Sequence, residues 1–444
     1  MNNQLDICAI FERSRLSAFQ MLVLGQCFLC MAVDGFDIQA MAYAAPSLIA
    51  QWGIPIANLG PVFSISMLGM LIGSLALGAI ADRVGRRPAL VSASLTMAVL
   101  MYLTAQTTTV DGLLALRFFT GIAMGAIVPN AATLVTEYAP GHNRVMLLTL
   151  VSSGLVVGGL VGGALAAALI PQYGWQVVFY LGAFAPLCVG VIMLFALPES
   201  LQWCVLRERQ LDRVRAILTR IEPGLRINEQ TRLLIAEPRR KGLSLAHLFA
   251  DGRLPGTLLL WLINFMNMLC IYFLASWTPV LMSGAGHTPS QAVLAGTSMW
   301  LGGLAGGWLL GWFVDRHGFG AVLVPTFIVS AVAIVLFSHH YNSINLAYLT
   351  IAVAGFGILG GQAALNAMTS TFYPTALRAT GTGWTLGLGR LGGICGPFVG
   401  ATLLHLQWST SELLVAAAIP ASIAAIGIIG FWRLNRTTAV PMPN

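Results

Sequence analysis

Twelve apolar runs alternate with short polar breaks along the chain. They fall at 18–44, 58–80, 88–107, 112–138, 145–170, 176–197, 254–283, 291–314, 320–338, 344–371, 378–405 and 411–433. A helix needs about 20 apolar residues to cross a bilayer core, so each run predicts one spanning helix. One long polar stretch, 198–253, divides the runs into six and six. The pattern predicts an all-α membrane protein: an N-terminal six-helix bundle (1–197), a cytoplasmic central loop (198–253) and a C-terminal six-helix bundle (254–444). Within the loop, charges alternate in sign at Arg207-Glu208-Arg209 and Asp212-Arg213, with Arg215 continuing the basic run. Short surface helices on the inner leaflet are expected there.

Composition agrees. The chain is 57% hydrophobic and 9% charged, against about 25% charged in soluble domains. So few charges cannot make a water-facing surface. Nor is the net charge of +7 a nucleic-acid signal, because the cations lie in short connections between apolar runs. With twelve spans and both termini inside, 21 of the 23 Lys and Arg fall on the inner side, 11 of them in 198–253. The other two, Arg117 and Arg390, lie within spans. This is the positive-inside distribution, and a wrong span count would scramble it. Arg13 and Arg15 before an apolar run, with Ala42-Tyr43-Ala44 after it, imitate a cleaved leader. The repeat described next uses that helix, so it is expected to be retained. Cys27 and Cys30 form a C-x-x-C inside an apolar run and are expected to be small packing residues. No metal spacing, buried His pair or nucleophile with a base is present, so neither an enzyme nor a bound cofactor or metal is expected.

The halves repeat. Gly78-x-x-x-Asp82-Arg83-x-Gly85 recurs as Gly311-x-x-x-Asp315-Arg316-x-Gly318, Pro46 as Pro279 and Trp175 as Trp408, all 233 residues on. Pro140-x-x-x-Arg144 recurs as Pro374-x-x-x-Arg378 and Pro186 as Pro420, both 234 on. Two related bundles follow, with a substrate path expected between them near the midplane.

The segment Gly78-Ala-Ile-Ala-Asp82-Arg83-Val-Gly85-Arg86-Arg87 resembles the signature loop of the major facilitator superfamily. Asp34-Gly35-Phe36-Asp37 resembles the D-G-x-D motif of its aromatic acid:proton symporters, which carry 4-hydroxybenzoate and protocatechuate. Arg117-x-x-x-Gly121-x-x-x-Gly125, Glu137-x-x-Pro140-x-x-x-Arg144 and Tyr373-Pro374-Thr-Ala-Leu-Arg378 through Gly389-Arg390 fit the same family in order. Pro198-Glu199-Ser200 also resembles sugar porters, though Leu201-Gln202 replaces their Pro-Arg. The fifth span has no Gly-Pro pair and so lacks the antiporter signature. The resemblance implies the major facilitator fold, transport by alternating access and an inward direction.

An ionisable side chain in a span is costly unless paired or hydrated, and is a functional candidate by default. At about 1.5 Å per residue, Asp34 and Asp37 lie roughly 22 and 27 Å from the inner surface, and Arg117 about 8 Å below the outer one. The depths nearly coincide, which predicts a pair between Arg117 and one of the two acids. Burial favours a neutral acid and a neighbouring guanidinium favours the anion, so moving the partner loads or releases a proton. Asp34, Asp37 and Arg117 are therefore the proton-coupling candidates. Arg390, near mid-membrane, is the candidate clamp for a carboxylate, since its charged fork matches that geometry. Asn264, Asn267, Tyr272, Trp277, Gln362, Asn366 and Trp384 are candidate ring and polar contacts. Asp82, Arg83, Arg86, Glu137, Arg144, Asp315 and Arg378 lie at inner ends and are expected to form a cytoplasmic gate. The expected function is proton-coupled import of a small aromatic carboxylate by a monomer in a bacterial inner membrane, with the proton as coupling ion, the bilayer as solvent and no nucleic-acid partner. A symporter of a sugar or a non-aromatic acid is the first alternative, and a non-transporting membrane sensor the second.

Overall fold

The computed structural model describes residues 4–222, 231–235, 245–374 and 377–438, apart from the side chains of Gln4, Ala379 and 435–438. Arg226, Arg239, Arg240 and Lys241, counted above as inner-loop cations, lie outside these residues. Twelve described helices are long and apolar enough to cross a membrane: Ala18–Trp52, Ile56–Val84, Arg86–Gln106, Val110–Tyr138, Gly141–Tyr173, Gln176–Ala196, Leu254–Gly284, Pro289–His317, Phe319–His340, Ile344–Phe372, Thr380–His405 and Thr410–Leu434. They are called the first to twelfth spans below. Large apolar side chains such as Leu75, Phe195 and Ile426 are exposed along them, as a hydrocarbon solvent allows.

The first span outruns its predicted end. It continues through Pro46 to Trp52, because neighbouring helices and apolar surroundings tolerate a proline that would end a helix in water. Two other spans are interrupted where the sequence reads as continuous. The fourth consists of Val110–Gly125 and Ile127–Tyr138. The tenth consists of Ile344–Ile358 and Gly361–Phe372. The breaks at Ala126 and at Leu359-Gly360 are again about 234 residues apart.

The repeat is written into backbone packing as well. A Cβ on Gly158 would strike the backbone of Ala32, and one on Gly392 that of Phe265. Gly69 meets Phe118 as Gly302 meets Ala352, and Gly73 meets Ile122 as Gly306 meets Phe356. Each pair recurs at the 233- or 234-residue spacing of the sequence. The first span thus packs on the fifth as the seventh does on the eleventh, and the second on the fourth as the eighth does on the tenth. Gly85 and Gly318, at φ 111° and 80°, end the second and eighth spans in a backbone conformation that other residues adopt only under strain.

The contacts divide the chain into two compact units that cut across the sequence halves. One holds Met1–Asp37, Gly69–Gly158 and Phe179–Arg239; the other holds Ile38–Leu68, Gly159–Val178 and Arg240–Asn444. In the second unit, parts of the first, second and fifth spans are tied to one another and to the later helices. Tyr43 donates to the Gly159 carbonyl at 2.8 Å, Ser64 to that of Ile394 at 2.9 Å, and Ser290 to that of Ala167 at 2.7 Å.

Short helices are expected in the central loop, and it contains Leu201–Leu206 and Leu211–Ile221. It also contains a strand that the sequence reading missed. Arg232–Leu234 pairs in parallel with Gln4–Asp6, Gln4 opposite Arg232. A helix, Ile7–Arg13, follows the first strand and buries Ile7, Ile10 and Phe11, with the Phe11 ring edge-on to Tyr138 at 6.0 Å. Strands of three residues carry too little alternation to be read from sequence.

Candidate functional site

The D-G-x-D motif lies in the first span, where Asp34, Asp37 and the facing Arg117 are all 2% exposed or less. Gly35 explains how the motif comes so close to its neighbours: a Cβ there would collide with the Leu155 carbonyl of the fifth span. Of the two acids that the sequence left open, Asp37 takes the arginine. Arg117 Nη1 and Nη2 both donate to Asp37 Oδ1, each at 3.2 Å. Asp37 Oδ2 is buried and accepts no hydrogen bond among the described residues. The guanidinium stands over the Phe179 ring at 5.4 Å, and Nη2 approaches the Met101 sulfur at 2.9 Å. The ion pair is therefore walled by a thioether and an arene rather than by water. Asp34 lies one helical turn away on the same face.

A second polar group occupies the seventh and tenth spans, at the break in the latter. Asn267 Nδ2 donates to the Ile358 carbonyl, the last residue before the break, at 3.0 Å. It also donates to Gln362 Oε1, just after the break, at 2.7 Å. Gln362 Nε2 in turn donates to Asn264 Oδ1 at 3.1 Å and to Asn366 Oδ1 at 2.9 Å. Four of the eight substrate-contact candidates are thus one hydrogen-bonded cluster. Asn264 and Asn267 are buried, while Gln362 and Asn366 are partly exposed. Arg390 and Tyr272 are also partly exposed, on the eleventh and seventh spans.

The two tryptophans stand apart from this cluster. Trp277 is buried and donates to the Pro397 carbonyl at 3.1 Å, edge-on to Phe63 at 5.5 Å. It packs where a Cβ on Gly400 would meet its ring. Trp384 is 45% exposed and stacks on Trp261 at 6.2 Å. The ring face for which both were named serves packing in one and a surface stack in the other.

At the span ends expected to be inner, the gate candidates cluster in the first half. Asp82 pairs with Arg86 at 2.5 Å, and Ser200 donates to Glu137 Oε2 at 2.6 Å. Glu137, Arg144, Thr136 and Gln202 line a cavity of about 360 Å³ together with Asp6 and Glu12 of the N-terminal segment. Arg83, Asp315 and Arg378 are exposed and form no ion pair among the described residues. In place of an ion pair, Arg316 stacks on Trp312 at 3.8 Å.

Comparison with known proteins fixes the family. The model of the Major Facilitator Superfamily matches residues 27–397 and 260–443. The chain belongs to this superfamily. Among its relatives within the superfamily, the 4-hydroxybenzoate transporter of Pseudomonas aeruginosa is 37% identical, covering 96% of this chain and 95% of its own. The gallate transporter of Pseudomonas putida is 36% identical over 99% and 98%. The benzoate transport protein of Acinetobacter baylyi is 30% identical over 98% and 94%. In fold, the chain matches the crystal structure of a D-xylose-proton symporter with a TM-score of 0.73 at 15% identity, covering 94% of this chain and 98% of that one.

The superfamily's signature loop has a partner that the sequence reading passed over. Glu199 Oε1 accepts from the backbone N–H of Arg86 at 2.7 Å, Arg87 at 3.1 Å and Ser200 at 2.8 Å. It caps the third span with a negative charge at the positive end of the helix. The space it fills is the one a Cβ on Gly85 would occupy. Tyr138 donates to the Glu199 carbonyl at 2.8 Å. The signal was present: Pro198-Glu199-Ser200 stands out as a polar block at a span's end, but a cap formed 113 residues away in sequence leaves no local pattern. Met101 and Phe179, which wall the ion pair, were missed because in sequence they are ordinary core residues.

Proposed function

We propose that the protein is a proton-coupled symporter that imports small aromatic carboxylates, of the hydroxybenzoate kind, across a bacterial cytoplasmic membrane as a monomer with both termini inside. The observation that carries this reading is full-length similarity to transporters named for 4-hydroxybenzoate, gallate and benzoate. The buried pair of the first and fourth spans supports the coupling. Both Arg117 bonds fall on one carboxylate oxygen, leaving Asp37 Oδ2 as the place for a proton. Protonation removes the charge that holds Arg117, and deprotonation restores it, so proton occupancy controls whether the first and fourth spans are tied. Asp34, one turn away, is the second acid through which the proton passes. Arg390 receives the substrate carboxylate, since a guanidinium fork in a membrane-embedded site matches an anion that a neutral group would not offset. The inner-end residues from Asp82 to Arg144 act as the gate.

The test is uptake of labelled 4-hydroxybenzoate by liposomes containing the purified protein, with the outside made acid. Accumulation should collapse with a protonophore, should be blocked by excess benzoate and should be indifferent to excess D-xylose. Blocking by xylose but not benzoate would overturn the aromatic reading in favour of the sugar symporter. An absence of flux for either solute would leave the sensor reading. With Arg390→Ala, carboxylate binding should be lost almost completely; retained affinity removes Arg390 from the site.

A further inference from the structure

The amide cluster has a hydrogen-bond count that its structural role does not use up. The tenth span breaks because Leu359 and Gly360 turn back on Gly355, whose carbonyl accepts from both N–H groups at 3.0 and 3.1 Å. The break leaves the Ile358 carbonyl for Asn267 to bind. One amide would suffice for that tie, yet four are present. Gln362 spends both Nε2 hydrogens within the cluster and its Oε1 on Asn267. Asn264 Nδ2 donates to the Leu260 carbonyl at 3.0 Å. Two polar atoms of the cluster are left with no hydrogen-bond partner among the described residues. The Asn366 amide donates no hydrogen bond, and Asn267 Oδ1, on a side chain with no exposure, accepts none. A buried acceptor without a partner costs stability, and such a cost is retained where a ligand meets the group.

The chemistry of the surplus indicates the ligand. The four amides are neutral, so they do not offset a carboxylate. Together they present a donor and an acceptor, which is what one hydroxyl needs, since it gives one hydrogen bond and accepts others. Their place fits as well, because interrupted spans at matching positions in two repeats mark substrate sites in transporters of this architecture. The partly exposed members, Gln362 and Asn366, are one turn apart on the restarted helix and so face the same way.

Resting on the aromatic-acid reading above, we infer that the Asn264–Asn267–Gln362–Asn366 cluster reads the ring hydroxyl of the substrate. Arg390 supplies affinity for the carboxylate that all such acids share. The amides select the hydroxylated acid over the bare one. When benzoate occupies the site, the surplus donor and acceptor stay unmatched, and this penalty makes the selection.

The test compares 4-hydroxybenzoate with benzoate as unlabelled competitors of labelled 4-hydroxybenzoate uptake in cells expressing the full chain. In the wild type, 4-hydroxybenzoate should compete at about tenfold lower concentration or better. Asn366→Ala and Gln362→Leu should bring the two acids within about threefold of each other by weakening the hydroxylated acid more than benzoate. Equal weakening of both acids, or an unchanged ratio, would overturn the inference and leave the cluster as an interhelical tie. Should Gln362→Leu fail to fold, Asn366→Ala decides alone, because it removes a partly exposed amide and keeps the Asn267–Gln362 bonds. Thermal shifts of the purified protein with each acid then give the same ratio without transport. A wild type that takes up benzoate and 4-hydroxybenzoate equally well keeps the aromatic reading and rejects this one. Uptake of neither acid rejects both.

Discussion

The Asp37–Arg117 pair can be separated into a structural and a coupling part by a double-mutant cycle. At 3.2 Å and an effective dielectric of about 20, the attraction between the two charges is about 5 kcal/mol. Both side chains are 1% exposed, so much of this offsets the cost of removing them from water. The net worth of the pair is therefore small, while the cost of breaking it is large. Asp37→Asn keeps the shape and strands a guanidinium between Met101 and Phe179; it should cost about 3–5 kcal/mol. Arg117→Met strands the carboxylate and should cost a similar amount. The double variant removes both charges, keeps most of the volume and should unfold within about 1–2 kcal/mol of the wild type, or above it. Thermal unfolding of the purified protein in detergent reads these three values. Transport should divide them differently. Proton-driven accumulation of 4-hydroxybenzoate should be lost in all three variants. Exchange of labelled for unlabelled substrate at equal pH, which needs no net proton movement, should survive in the double variant. Single variants as stable as the wild type would refute the claim of a desolvated pair. A double variant that still accumulates substrate against a gradient would refute the coupling role.

Two further outcomes follow from close packing and from capping. Gly35→Ala places a methyl group against the Leu155 carbonyl and should cost about 1–3 kcal/mol by overpacking, read as a lower melting temperature with uptake reduced in step. Glu199→Ala removes the acceptor of three backbone N–H groups and should cost about 1–2 kcal/mol, whereas Glu199→Gln, which still accepts, should recover part of it.

The fold was legible because its determinants are coarse. Apolar length gives the spans, and five landmarks at an offset of 233 or 234 give the duplication. Depth alone brought Arg117 level with the acids of the first span, but depth could not choose between Asp34 and Asp37. That choice depends on which side of a turn faces the fourth span. The breaks at Ala126 and Gly360 were not legible, because each interrupts a run that stays apolar throughout, and a turn inside a span leaves hydropathy unchanged. Glu199 and the short pairing of Gln4–Asp6 with Arg232–Leu234 were missed for another reason. Both join segments far apart in sequence, through contacts of one to three residues.

The duplication also shows where the chemistry parted. The same backbone plan exists twice, down to the glycines that let helices touch, so equivalent positions can be compared directly. Asp34 corresponds to Asn267, Asp37 to Cys270 and Arg117 to Ile351. The first copy thus holds a buried ion pair at the position where the second holds a thiol and an aliphatic side chain, and a carboxylate where the second holds an amide. A plan that required these charges for stability would require them in both copies. The second copy folds without them, keeping the same packing of spans, so the charges of the first are not the cost of the architecture. Buried ions are expensive to keep in hydrocarbon, and a duplicated scaffold that has shed them in one half and retained them in the other points to work that only one half performs. On the function proposed above, that work is proton coupling in the first half, which would leave the neutral amides of the second to distinguish one uncharged ring substituent from another.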